Sequence, residues 1–310
     1  MQIGLDIGGT NIKGVLMKDK RVVNRIRVAT KSRDNKKILV GQIFKCIEIL
    51  IKKNKNVGRP TSHINGIGIG VAGPVDFKNQ KVLNPPNVTG LKGLYLGKLI
   101  KEKFTPYLGK GAGAIIEHDV NCFVLAEAVL GAGRKYKSVF GLTMGTGVGG
   151  GIVLNKKIYH GAYDSAGEFG HMTIEKNGRL CKCGNRGCLE PYINDKGIKK
   201  TAEKIFGRRI ETMRIFDNLA AKGDKRAIKL YKITGQYLGI GLANLVDAIN
   251  PGVIIVGGGI MRAGKFILDP AREEMKKNIL SLKARKTKLL KAKLGKFAGA
   301  IGAGLLNYGK

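Results

Sequence analysis

Tryptophan is absent, aromatic residues make up only 6% of the chain, and 22 acidic residues stand against 56 lysines and arginines. The thin aromatic content, with no helix-turn-helix pattern, leaves no platform on which bases could stack, so specific nucleic-acid binding is not expected. No apolar run approaches the ~20 residues of a membrane span, and no membrane association is expected. A core-like strand is read from Gln2, so no signal peptide is expected and a cytoplasmic protein is the expectation. There are only five cysteines, and in a reducing compartment a cysteine cluster binds metal more readily than it forms disulfides.

The shortage of acids sets the formal net charge at +34. Such a field attracts anions, nucleotides among them. The lysines are scattered through nearly every helix and loop rather than gathered in a block, as on a solvated charged surface. A length of 310 residues with 43% hydrophobic content is enough for a large core divided between two lobes.

The most informative stretch is Glu168 to Glu190, E-F-G-H-M-T-I-E-K-N-G-R-L-C-K-C-G-N-R-G-C-L-E. His171, Cys181, Cys183 and Cys188 supply one imidazole and three thiolates, a closed tetrahedral set for a structural Zn²⁺. Gly184 and Gly187 allow the loop between the thiolates to turn tightly. Glu168 and Glu190 bracket the set and are left over to face something else. Cys46 and Cys122 fall in apolar helical patterns and read as core residues.

Two β-glycine turn-β units echo each other along the chain. Near the N-terminus, Gln2–Asp6, a turn at Gly8-Gly9-Thr10, Ile12–Met17 and Arg21–Thr30 form an antiparallel meander. The turn is either an ordinary hairpin bend or an anion nest of backbone N–H groups. In the second reading Asp6 sits where it would hold a hydrated Mg²⁺ beside the phosphates. Further on, Ser138–Thr143 runs into Gly145-Thr146-Gly147 and then a strand at Ile152. Gly68, Gly70 and Gly73 match G-x-G-x-x-G, as do Gly145, Gly147 and Gly150, but no helix opens after either set, which argues against a dinucleotide fold. Helices are expected over Asn35–Asn54, Leu94–Phe104, Cys122–Leu130, Lys196–Phe206, Thr212–Lys222, Lys225–Asn250 and Ala298–Leu306. Asp119, where a strand passes into a helix, reads both as an N-cap and as a positioned general base. If it only caps, Glu117 and Glu168 are the next candidates for a base. Gly257-Gly258-Gly259, after the buried strand Val253–Val256, has the form of a ligand-binding sheet edge.

Together, D-I-G-G-T, G-T-G-V-G-G-G, V-G-G-G and the final A-G-A-I-G-A resemble the α/β, two-lobed actin-like ATPase fold (ribonuclease H-like) of sugar kinases. E-F-G-H, C-K-C-G-N-R-G-C-L-E and H-D-V-N narrow the resemblance to the ROK family of repressors, open reading frames and kinases, over residues 2 to about 307. The resemblance implies a small lobe of residues 1–118, completed by a C-terminal helix at about 298–310, and a large lobe of residues 119–297. It also implies an ATP-dependent hexose kinase acting on the 6-hydroxyl, a glucokinase first, with N-acetylglucosamine, N-acetylmannosamine and fructose as alternative acceptors. Asp119 matches the catalytic base. Gly73, Asn87, His118, Glu168, His171 and Glu190 match the sugar pocket, with His171 turning one nitrogen to the sugar and the other to zinc. Asp6, Gly8, Gly9, Thr10, Lys13, Gly145, Thr146 and Gly147 match the ATP and Mg²⁺ clamps, and Gly257, Gly258 and Gly259 the adenosine edge. A homodimer or homotetramer is implied as well. The non-kinase branch of the family carries a DNA-binding domain ahead of the first strand, for which no room is expected here. Two departures touch the sugar pocket: His118 stands where the family has Asn, and the loop reads N-V-T-G-L instead of N-L-P-G-W.

Overall fold

The computed structural model describes residues 1–55 and 63–308, so the last two positions of the expected C-terminal segment lie outside the described residues. In chain order the elements begin with β1 (Gln2–Ile7), β2 (Asn11–Lys18), β3 (Arg21–Ala29), α1 (Lys36–Lys55) and β4 (Gly66–Val71). There follow β5 (Val75–Asp76), β6 (Lys81–Val82), α2 (Leu96–Phe104), β7 (Ala114–His118) and α3 (Asp119–Val129). Next come β8 (Ser138–Met144), β9 (Val148–Leu154), β10 (Lys157–Ile158), α4 (Glu190–Ile193), α5 (Asp195–Phe206), α6 (Met213–Ala221) and α7 (Lys225–Ile249). The chain closes with β11 (Val253–Gly257), α8 (Lys265–Asn278), β12 (Lys288–Lys291) and α9 (Ala298–Leu305). Among the described residues no helix is long and apolar enough to cross a membrane.

The chain divides into two compact units. The first comprises Met1–Arg134, Lys156–Ala166 and Lys293–Lys310, and the second Lys135–Asn155 and Gly167–Ala292. The first unit therefore runs past residue 118 and takes in α3. Its sheet has the order β3-β2-β1-β4-β7. The expected meander is present, with β1 antiparallel to β2 and β2 to β3, while β4 lies parallel to both β1 and β7. The second unit repeats the plan: β9 and β8 pair antiparallel, then β8, β11 and β12 run parallel. The echo of glycine turns in the sequence is thus an echo of topology, because each turn closes the hairpin that opens its sheet.

Helix α9 explains Gly4 of β1 and Gly68 of β4. A Cβ on Gly4 would stand 2.0 Å from the carbonyl oxygen of Ala300, and one on Gly68 would stand 1.8 Å from that of Ala303. Only hydrogen fits at these points, so helix and sheet pack backbone to backbone. The other side of α9 meets α3 as closely, since a Cβ on Gly302 would stand 1.7 Å from the carbonyl oxygen of Cys122. Cys46 and Cys122 are buried in α1 and α3, as their apolar settings suggested.

Candidate active site and metal centre

In the first unit the candidate residues gather where the parallel strands β1, β4 and β7 end, the edge at which α/β sheets bind ligands. Asp6, near the end of β1, faces Lys13 across the hairpin, with Oδ2 2.7 Å from the lysine Nζ. The turn that follows is closed by the Gly8 N–H donating to the Asn11 carbonyl (3.1 Å). The Thr30 hydroxyl donates to the Gly8 carbonyl (2.8 Å) and braces the turn from β3. A Cβ on Gly9 would stand 2.7 Å from the Asn87 carbonyl oxygen, so the loop carrying Asn87 lies against the turn, with Thr10 exposed beside it. Gly73 has φ +142° and packs on Pro85, which joins the end of β4 to the same loop. A cavity of about 430 Å³ opens beside Asn87, with Thr30, Arg33 and Thr89 on its walls.

Asp119 stands at the head of α3. It is the first helical residue; the N-cap is His118, which makes no capping hydrogen bond through its side chain. The N-cap reading of Asp119 is therefore set aside, and the helix begins three residues earlier than expected because Asp119 already has helical geometry. The Asp119 side chain keeps 30% of its surface, and its Oδ1 lies 3.4 Å from His118 Nε2. Crowding by surrounding protein atoms is the largest influence on its carboxyl; with the negative charge of Asp6 it outweighs His118 and Lys13 and pushes the pKa up to about 6. A carboxylate poised there is mostly ionised at neutrality yet more basic than an ordinary aspartate, as a general base requires.

Glu117, the reserve candidate, is not free to act. It is 3% exposed, and its carboxylate accepts from the His118 N–H (2.8 Å) and the Asn121 amide (3.0 Å). It also meets His160 Nε2 at 2.7 Å. The His160 ring stacks on Phe77, and its pKa is raised chiefly by the hydrogen bond to Glu117. Sequence reasoning missed His160, because nothing in Y-H-G-A signals a partner 43 positions away.

In the second unit, His171, Cys181, Cys183 and Cys188 converge, with one ligand atom from each lying within 4.8 Å of all the others. Cys181 Sγ is 3.5 Å from His171 Nδ1, and Cys183 Sγ is 3.7 Å from Cys188 Sγ. A tetrahedral ion with metal–sulfur bonds near 2.3 Å and metal–nitrogen bonds near 2.0 Å needs edges of about 3.8 and 3.6 Å. The four groups fit such an ion, whereas a disulfide needs sulfurs about 2.05 Å apart. Gly184 (φ +93°) and Gly187 (φ +76°) turn the loop in the left-handed region, and a Cβ on Gly187 would stand 1.7 Å from the Glu175 carbonyl oxygen. Burial, first, pushes the Cys188 thiol up to about 12.

Because His171 turns Nδ1 to the cysteines, Nε2 is left facing Glu168, 3.9 Å away. Glu168 is well exposed, but Glu190 is 3% exposed. The Glu190 Oε2 accepts the Val148 N–H (2.7 Å), and Oε1 lies 3.3 Å from Lys182 Nζ. Glu190 thereby ties the cysteine loop to the Gly145-Thr146-Gly147 turn. At the sheet edge, Gly258 (φ +94°) packs on the end of β8, while Gly259 is open, with no atom near the place of a Cβ. A cavity of about 340 Å³ links that edge to Gly145 and Thr146, and Lys199, Arg214 and Arg262 stand on its walls. These three basic residues were not foreseen: they come from α5, α6 and the turn after β11, which meet only on folding.

Residues 2–309 match the ROK family. A glucokinase from Halalkalibacterium halodurans is 31% identical, with 98% of this chain and 94% of that protein covered. An N-acetyl-D-glucosamine kinase from Photobacterium profundum is 32% identical, with 100% of both covered. A xylose repressor from Bacillus spizizenii is 34% identical over 76% of this chain and 59% of its own length. The solved structure of a ROK family glucokinase from Streptomyces griseus in complex with glucose and AMPPNP superposes with a TM-score of 0.79. It is 29% identical, and 98% of this chain and 97% of that one are covered.

Proposed function

The chain belongs to the ROK family, and from that premise we propose that it is an ATP-dependent hexose kinase, a glucokinase in type, that phosphorylates the sugar 6-hydroxyl. The fold is the α/β actin-like ATPase type. The observation that carries the reading is Asp119: a carboxylate with its pKa raised to about 6, at the carboxyl edge of the sheet and near enough to Asp6 and Lys13 for their charges to act on it. Phosphoryl transfer needs positioning and charge neutralisation more than covalent help. Asp119 accepts the hydroxyl proton. The turns Gly8-Gly9-Thr10 and, separately, Gly145-Thr146-Gly147 hold phosphates through backbone N–H groups other than those of Gly8 and Gly145, which close the turns themselves. Gly257, Gly258 and Gly259 give the nucleoside a flat edge. Asn87, His118, Glu168, Glu190 and the Nε2 of His171 bind sugar hydroxyls, and Gly73 shapes the loop that carries Asn87.

Asp6, paired with Lys13 and close enough to raise the Asp119 pKa, is the carboxylate that would hold a hydrated Mg²⁺; that ion supplies neutralisation of phosphate charge. The Cys₃His set takes a structural Zn²⁺, with no open coordination position, and fixes the loop that bears Glu190. His118, in place of the family's Asn, brings a bulkier donor to the sugar pocket, and the N-V-T-G-L loop a less rigid wall. Acceptor choice among glucose, N-acetylglucosamine, N-acetylmannosamine and fructose turns on these two places. The test is an ADP-release assay over those hexoses with MgATP. Saturable, sugar-dependent release is expected, greatest with glucose; no release with any hexose would sink the reading.

A further inference from the structure

Between Cys181 and Cys183 stands Lys182. Its side chain is 67% exposed, yet its amine does not trail into solvent. Nζ lies 3.3 Å from Glu190 Oε1 and 3.4 Å from the point where a Cβ on Gly147 would stand. The same point is 2.8 Å from Glu190 Oε2, so the turn, the carboxylate and the ammonium form one contact group. Both neighbours of Lys182 are among the four convergent metal-ligating residues, which fixes the backbone from which the lysine reaches.

This arrangement poses an electrostatic difficulty. The Gly145–Gly147 turn can offer a phosphate only neutral N–H dipoles, and a buried carboxylate lies against it. Two anions close together in a partly enclosed site repel each other. Lys182 removes the difficulty: one of its three donors serves Glu190, and the others remain for phosphate oxygens. A lysine ammonium is a compact point charge well suited to that contact.

We propose that Lys182 is a phosphate-contacting catalytic residue, delivered to the Gly145–Gly147 turn by the metal loop, which binds the terminal phosphates of the nucleotide. The proposal rests on the kinase reading. In the transfer step a bond forms between the sugar hydroxyl oxygen and the γ-phosphorus. The bond from that phosphorus to the β–γ bridging oxygen breaks, its electron pair leaving on ADP, and the hydroxyl proton passes to Asp119. Lys182 contacts non-bridging oxygens and takes no proton.

The test is calorimetric binding of AMP, ADP and the non-hydrolysable AMPPNP, each with Mg²⁺, to wild type, Lys182→Met and Lys182→Arg. Glucose binding and zinc content are measured on the same samples. Lys182→Met is expected to weaken AMPPNP about tenfold, the scale of one charge-assisted hydrogen bond. ADP should weaken less, AMP should stay within about twofold, and Lys182→Arg should recover most of the loss. Zinc content equal to wild type would show that the loop is intact. An unchanged AMPPNP affinity, or equal losses for all three nucleotides, would overturn the proposal. So would a loss confined to glucose, which would make Lys182 a partner of Glu190 alone. These ratios are read without turnover. Failure of wild type to release ADP with any hexose would therefore sink the kinase reading separately from the role of Lys182.

Discussion

Replacing Asp119 by Asn should make the protein more stable and nearly inactive at once. In the folded chain the carboxyl is pushed from its ordinary 3.8 up to about 6. A group whose pKa is raised by folding favours the fold in its protonated form. That contribution is complete below pH 3.8 and is lost as the pH rises through about 6. At pH 7.5 the carboxylate therefore weighs against the folded state, by up to about 3 kcal/mol from the span of the two values. The 30% of its side chain left accessible brings solvent screening and lowers the figure to about 1–3 kcal/mol. The amide of Asn fills the same space and does not ionise. Asp119→Asn should thus melt about 2–6 °C above wild type at pH 7.5, and the gap should close toward pH 4. Thermal unfolding without nucleotide or sugar measures this free of ligand linkage. In the same variant kcat should fall at least ~10²-fold, and wild-type kcat/KM should decline on the acid side near pH 6. A variant that melts at or below wild type at pH 7.5, or a gap that ignores pH, would refute the burial argument. Retention of most wild-type turnover would refute the base.

Three further outcomes follow from the geometry. One Zn²⁺ per chain should accompany freshly purified protein and be lost from the Cys183→Ala/Cys188→Ala variant, as read by elemental analysis; zinc retained in that variant would contradict the ligand set. If Glu190 binds the sugar as proposed, Glu190→Gln should raise the KM for hexose about tenfold with a smaller loss in kcat, because a charged contact is weakened; steady-state kinetics with the sugar varied decides this. Gly68→Ala would place a methyl 1.8 Å from the Ala303 carbonyl oxygen, and forcing α9 off the sheet should cost about 3 kcal/mol or more, read as a lower melting temperature.

Much of this protein is written locally in its sequence. The Cys₃His cluster was legible because all its cysteines lie in one eight-residue loop with a histidine ten residues upstream, so their spacing alone sets their meeting. The two hairpins were legible for the same reason: a glycine turn between alternating apolar runs folds on itself without outside help. What lay beyond reach depends on residues distant in the chain. Gly4 and Gly68 read as ordinary strand positions, and only the docking of α9 shows why they bear no side chain. The start of α3 was misplaced because His-Asp-Val-Asn carries a capping pattern that the backbone does not use: His118 takes the N-cap and Asp119 the first turn. Glu117 looked like a spare base until folding brought His160 and Asn121 onto it. The sequence by itself determined which chemical groups are present and which of them lie on the same short loop. The tertiary structure alone decided which carboxylate is buried, which is already satisfied and which cation stands beside which turn, because burial and electrostatic partnership are properties of the packed chain and not of neighbours in sequence.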